Sequence, residues 1–247
     1  MAIGFRAAGT WVATTANQTV TIPAGTVAGD LMVMFYGTKP YNDVPTINNS
    51  WTDGGAATDG TVAAGIDVGS MQARIFWKVH TGTETNPTVT NASNNVSSVV
   101  IVSFSKDPAK DWDVLLGGGG DATAGTGFSA TTGNNITLAV NDWVASFVAI
   151  RSDAGTPGNF TTTATGITFG TFVPQPTTAI STQSGGDMAA HAGYNTITAG
   201  TATTPVTVAS TLAAAHTGSM YLIRMREVDP PLADSYDPFG MMGFFGM

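Results

Sequence analysis

The chain has no cysteine and very little charge. Its 247 residues include three histidines, and Asp, Glu, Lys and Arg together make up 11%, less than half the share of about a quarter usual for soluble domains. Without thiols there is no disulfide, no thiolate nucleophile and no cysteine-ligated zinc. Nine Lys and Arg stand against 17 Asp and Glu, for a net charge of −8, and the cations are scattered. Neutralising phosphates takes grouped cations, and an anionic membrane surface repels an acidic chain. Neither nucleic acid nor membrane is expected as a partner. No apolar run approaches the ~20 residues a membrane-spanning helix needs. The opening MAIGFRAAGTWVATT lacks a basic stretch followed by a long apolar one, so no signal peptide is read there and folding in the cytoplasm of the producing cell is expected.

Hydrophobic residues make up 43%, and Thr, Gly, Ala, Asn and Ser fill most of the rest. A surface of hydroxyls and amides has few charges to repel a neighbouring copy, which suits a subunit packed among others, although secreted β-domains share the bias. Period-two alternation predicts strands at Thr19–Ile22, Leu31–Thr38, Met71–Thr81, Thr88–Thr90, Val96–Ser105, Ile136–Val140, Trp143–Arg151, Ile167–Val173, Met188–Ile197, Val206–Ala209 and Ser219–Val228. Turn-forming clusters separate them, among them Pro23-Ala24-Gly25, Gly29-Asp30 and Gly185-Gly186-Asp187. The best helix candidate is the short Ser210–His216.

The pattern repeats. Asn17–Thr38 and Asn134–Asp153 each read as a short strand, a polar turn ending in Asp, and a long apolar strand, with Asp30-Leu31 matching Asp142-Trp143. The segments starting at Met71 and Met188 match in turn, and both lead to apolar strands that run into Asp-Pro, at Asp107-Pro108 and Asp229-Pro230. A diverged duplication with halves 1–113 and 114–230 accounts for this order. One sheet must bury its apolar face on another. The expected fold is therefore all-β: an antiparallel β-sandwich over 1–230, jelly-roll-like and made of two related sheets. Two small sandwiches joined at Gly117–Gly120 are the alternative, with that glycine run read as a linker or a flexible loop.

Residues 231–247 differ in character. Phe239, Met241, Met242, Phe244, Phe245 and Met247 crowd a Gly-rich segment that is too short to span a membrane. So much apolar surface calls for burial. It either folds back on its own sandwich or serves as an assembly arm inserted into a neighbour, a role suited to adaptable Met and Gly.

No specific catalytic constellation is present. His80, His191 and His216 fit no metal-binding spacing, and no G-x-S-x-G elbow occurs. Glu84 in a turn and Glu227 at a strand end read as surface charges, not as the carboxylate pair of a glycosidase. Asp53, Asp59, Asp67 and Asp121 lie in or beside Gly-rich segments and are the residues that calcium could use, but isolated loop aspartates are usually turn formers. The expectation is no enzyme, no metal and no cofactor. Of Trp11, Trp51, Trp77, Trp112 and Trp143, Trp77 and Trp143 sit in apolar strands and read as core. Trp51, in the polar loop Asn48-Asn49-Ser50-Trp51-Thr52, is the best candidate for an exposed ligand-binding ring.

The run Ile22-Pro23-Ala24-Gly25-Thr26-Val27-Ala28-Gly29-Asp30-Leu31-Met32-Val33 resembles the P-x-G-x-x-x-G-D-L-L-V segment of β-sandwich proteins encoded among phage structural genes. The likeness continues through Trp51, Arg74–Val79 with Gly82-Thr83-Glu84, and Phe104-Ser105, and more faintly through the repeat. It implies a virion protein: a capsid decoration or head-fibre protein, or alternatively a tail component or a receptor- or carbohydrate-binding module. Its partners would be other virion subunits and copies of itself, with a trimer as the guess, and a host-surface glycan is possible. The segment carries no known chemistry, so no functional residue transfers.

Overall fold

Among the residues described by the computed structural model (2–39, 44–59, 71–91, 96–151, 157–182 and 188–231), regular structure is entirely β. The first half contributes β1 (Gly4–Ala8), β2 (Val12–Thr14), β3 (Gln18–Thr19), β4 (Leu31–Lys39), β5 (Thr46–Ile47), β6 (Thr52–Thr58), β7 (Gln72–Val79), β8 (Thr88–Thr90) and β9 (Val96–Ser105). The second contributes β10 (Asp111–Thr131), β11 (Ile136–Ala139), β12 (Trp143–Ile150), β13 (Thr161–Thr163), β14 (Thr168–Phe169), β15 (Val173–Pro174), β16 (Ile180–Thr182), β17 (Met188–Ala199), β18 (Thr201–Thr204) and β19 (Thr207–Val228). The pairings are antiparallel. One large sheet runs β1-β9-β4-β7-β6, with β2 also on β9; the other runs β10-β19-β12-β17-β14, with β13, β15 and β16 attached. Long β10 and β19 carry this second sheet round until it nearly closes as a barrel. Two small sheets, β3-β8-β5 and β11-β18, complete the fold.

The apolar runs are explained by burial on both faces. Every residue of β4 is buried. Its Leu31, Val33 and Phe35 enter a central core with Ala145, Phe147 and Ala149 of β12, so the two large sheets face each other there. Met32, Met34 and Tyr36 point the opposite way, into a cluster closed by Val20 and Val89. Val144, Val148 and Ile150 of β12 enter a third cluster, with Phe128, Ile136 and Val208. Alternation in such strands is therefore between two interiors, not between interior and water. Aromatic rings tie the large sheets together: Phe35 stacks on Phe147 at 5.6 Å between centroids, and Phe5 stacks on Tyr194 at 5.6 Å.

The two halves match in pairing as well as in sequence. β4 lies between β7 and β9 as β12 lies between β17 and β19. The turns ahead of β4 and β12 share their hydrogen bonds. Val27 N donates to Asp30 Oδ2 at 2.9 Å and Asp30 N to Val27 O at 3.1 Å; Ala139 N donates to Asp142 Oδ2 at 2.8 Å and Asp142 N to Ala139 O at 3.1 Å. The residue before each Asp has a left-handed backbone, Gly29 at φ 90° and Asn141 at φ 73°, and it bonds across to the end of the paired strand, at His80 O and Ile197 O. Each buried carboxylate receives a two-pronged guanidinium: Arg6 on Asp30 at 3.0 and 3.1 Å, Arg226 on Asp142 at 2.7 and 2.7 Å.

Several segments differ from expectation. Ser210–His216 lies inside β19, because pairing with β10 overrides its alanine-rich helix preference. Gly117–Gly120 is neither linker nor loop: it lies within β10, opposite Leu222 to Ser219. A Cβ at Gly118 would strike the Tyr221 ring, and one at Gly120 would strike the Thr58 carbonyl oxygen. The glycines let the edge of the second sheet approach the end of β6 in the first. The predicted strand Ile167–Val173 is split into β14 and β15. Residues 232–247, and with them the arm side chains Phe239, Met241, Met242, Phe244, Phe245 and Met247, lie outside the described residues.

Candidate functional site

Trp51 follows a loop, residues 48–50, that connects β5 to β6. The loop is fixed from several sides. Thr88 N donates to Asn48 Oδ1 at 2.8 Å. Asn49 Nδ2 donates to Thr85 O at 3.1 Å and to Thr85 Oγ1 at 3.3 Å. Lys78 reaches up from β7 and donates through Nζ to Asn49 O at 2.6 Å. Held this way, Asn49 and Ser50 both have left-handed backbones, φ 68° and 56°. Asn accepts that conformation readily and Ser rarely does, so the consecutive pair stores strain that the surrounding bonds must offset.

The facing wall is the turn after β7. Glu84 folds back so that Thr81 N donates to its Oε1 and Oε2 at 2.9 and 2.8 Å and Gly82 N to Oε2 at 3.2 Å. Lys78 Nζ stands 3.5 Å from Oε1 and His80 Nε2 3.4 Å from Oε2. Gly82 N also donates to His80 Nδ1 at 3.1 Å. Burial by itself would raise the carboxyl pKa, but the hydrogen bonds from Thr81 and the neighbouring His80 outweigh it and bring it down to about 2. Glu84, expected at the surface, has a side chain only 4% exposed.

Between the walls lies a cleft of about 240 Å³ lined by Asn49, Ser50, Lys78, Thr81, Thr83, Glu84 and Thr85. Trp51 is not part of that lining; it is partly buried against the outer apolar cluster of the first sheet. The indole therefore gives part of its surface to the core. Trp77 and Trp143 pack against the central core as expected.

The other sequence candidates do not converge. The Asp53 carboxylate pairs with Arg74. Asp59 accepts from Met71 N at 2.7 Å and Thr217 Oγ1 at 2.6 Å, and Asp121 accepts from Thr123 N and Ser129 N at 3.1 and 2.9 Å. Asp67 lies outside the described residues. No group of three or more His, Cys, Asp or Glu able to hold a metal ion occurs among the described residues. Glu227 Oε1 accepts from Asp107 N at 2.6 Å. His191, 5% exposed, contacts Gly158 O through Nδ1 at 3.2 Å, and its pKa is lowered by burial. A second groove of about 570 Å³ runs between β13 and β14 over Phe160, Phe172 and Asn195, and the Asn195 amide is spent within the fold, on Thr162 and Gly170 O.

Sequence reasoning reached the loop but picked Trp51 within it; it weighed His80 and Glu84 apart from each other and singled out neither Asn49 nor Lys78. Lys78, His80 and Glu84 carried a signal: three ionisable residues close together in sequence, in a chain with so little charge. Compared with family models, with curated proteins and with solved structures, the chain matches none.

Proposed function

We propose that this chain is a non-enzymatic structural protein of a bacteriophage virion, displayed on the particle as a capsid decoration or head-fibre protein and held there by subunit contacts. The observation that carries this reading is where the charge goes. Asp30, Asp142, Asp59, Arg74 and Arg224 are all buried, and Arg6 and Arg226 lie over the two aspartates. Several of the scarce ionised groups are thus taken inside, which leaves much of the outside to Thr, Ser, Asn and Ala. Interface cores are likewise depleted in Lys, Glu and Asp. The segment that resembles phage proteins belongs to the same scheme, since its Gly29-Asp30 forms the stapled turn ahead of β4.

In this reading the protein is a jelly-roll-like sandwich derived from an internal duplication, supported by the shared strand order and the shared Asp30 and Asp142 turns. Residues 232–247 would dock on a neighbouring virion subunit, and three copies would assemble together. The test is immunogold electron microscopy of particles with an antibody against this chain. Gold on heads is the expected result. Gold on tails moves the assignment to a tail component, and particles without gold overturn the virion reading. Deleting 232–247 is expected to abolish incorporation while leaving the β-sheet circular dichroism unchanged; normal incorporation would refute the arm.

A further inference from the structure

We infer that the cleft between residues 48–51 and 81–85 binds a single neutral, hydroxyl-rich ring, the chemistry of one sugar unit. Three observations lead there. The first is backbone geometry. Two consecutive non-glycine residues, Asn49 and Ser50, are held left-handed at the rim, and strain of this kind persists where the surroundings over-determine it. Here those surroundings are Lys78 and Thr85, both of which line the cleft.

The second is charge. The Lys78 ammonium and the Glu84 carboxylate stand 3.5 Å apart, and with a pKa of about 2 the carboxyl stays ionised at any ordinary pH. The two cancel, so the site has no net preference for an anion or a cation. The third is the mixture of donors and acceptors. Ser50, Thr81, Thr83 and Thr85 supply hydroxyls, Asn49 an amide oxygen (its Nδ2 is held by Thr85) and Lys78 an N–H donor, around a space of about 240 Å³. A ring hydroxyl both donates and accepts, so a polyol satisfies such a lining where an apolar ligand would leave it unpaired. The volume suits one ring and not a chain, which predicts weak monovalent binding that gains strength when many copies are displayed together.

The inference does not depend on the virion reading, because it concerns the isolated chain. The experiment is titration of the ¹⁵N-labelled full chain with glucose, galactose, mannose and N-acetylglucosamine, each to millimolar concentrations, followed by amide chemical shifts. At least one sugar is expected to shift amides of residues 48–51 and 81–85 together. Ser50→Gly, which suits the left-handed backbone, and Thr83→Ala, at an exposed position, keep the fold and are each expected to weaken binding about tenfold. Inorganic phosphate is the control: shifts of the same amides by phosphate and by no sugar would overturn the neutral-ligand assignment. Shifts by no sugar at all, or binding unchanged in both variants, would overturn the site.

Discussion

At the entrance to β4, Asp30 is held by Arg6 from the edge strand β1, two strands away; at the entrance to β12, Asp142 is held by Arg226 from β19, the strand directly alongside. Turn, hydrogen bonds and left-handed residue are the same, yet the guanidinium comes from a different strand. What the two halves share is the need to neutralise a buried aspartate that caps its own turn, and any arm long enough to reach it will serve. The outer faces differ more. The first sheet is capped by three short strands over a small cluster that includes Met32, Met34 and Tyr36. The second wraps its own β10 and β19 over a larger cluster that includes Val144, Val148 and Ile150. Inner strands and turns match between the halves, while the outer covers differ in size and make-up.

The sharpest way to break this comparison is to remove each carboxylate. Asp142→Ala strands Arg226 and frees Ala139 N, and is expected to cost about 3 kcal/mol or more. Asp30→Ala is expected to cost less, about 2 kcal/mol, because its guanidinium bonds are longer and Arg6 is more exposed than Arg226, 38% against 28%. Urea unfolding of both variants measures the difference. A larger loss at Asp30 would show that the donor strand matters more than bond geometry. Gly120→Ala probes the seam between the halves. Its Cβ would meet backbone at Thr58 and Asp59, which side-chain rotation cannot relieve, so a loss of about 2 kcal/mol is expected in thermal unfolding. A neutral result would show that the seam adjusts.

Much of this was legible in the sequence because β4, β9 and β12 are buried on both faces and so read as mostly apolar segments; Val96–Ser105 and Thr88–Thr90 were placed to the residue. Strands dominated by Gly, Thr and Ala were missed. β10 passes through Gly117–Gly120 and β6 through Gly54-Gly55, and in both the glycines mark close approach, a property of the neighbour and not of the local pattern. The cleft was hidden for a related reason. Lys78 meets Asn49 only because β7 runs antiparallel to β6, bringing Thr52 opposite Trp77. Residues 29 positions apart, such as Lys78 and Asn49, carry no local sign of that contact.

Equivalent register positions also set an acid test. Arg74 pairs with Tyr36 of β4 as His191 pairs with Val148 of β12, but Arg74 has the Asp53 carboxylate and His191 has a buried Nε2 without a hydrogen-bond partner. Burial lowers the His191 pKa below its ordinary 6.5, so the unfolded chain takes up a proton that the folded one resists. Stability linked to His191 is thus complete above pH 6.5 and falls as pH drops through and below it. His191→Phe should flatten stability against pH in that window, read by urea midpoints at steps below neutrality. Unchanged curvature would mean that the imidazole rehydrates without unfolding.

Glu84 sets a second, lower window in the first half. Its folded pKa of about 2 lies below the ordinary 4.5, so the unfolded carboxylate is the first to protonate on acidification. The stabilisation is present above pH 4.5 and is lost as pH falls toward 2. The turn that holds the carboxylate, Thr81 to Thr83 and Thr85, is exposed, and screening there keeps the effect small, on the order of 1 kcal/mol. Glu84→Gln should remove this limb and leave the His191 limb intact. The two halves then weaken in sequence on acidification: amides around His191 lose hydrogen-exchange protection first, and those of the turn at Thr81 and Gly82 lose it only below pH 4.5. Simultaneous loss would show that the central core, shared by both large sheets, couples the halves into one cooperative unit whatever their local titrations do.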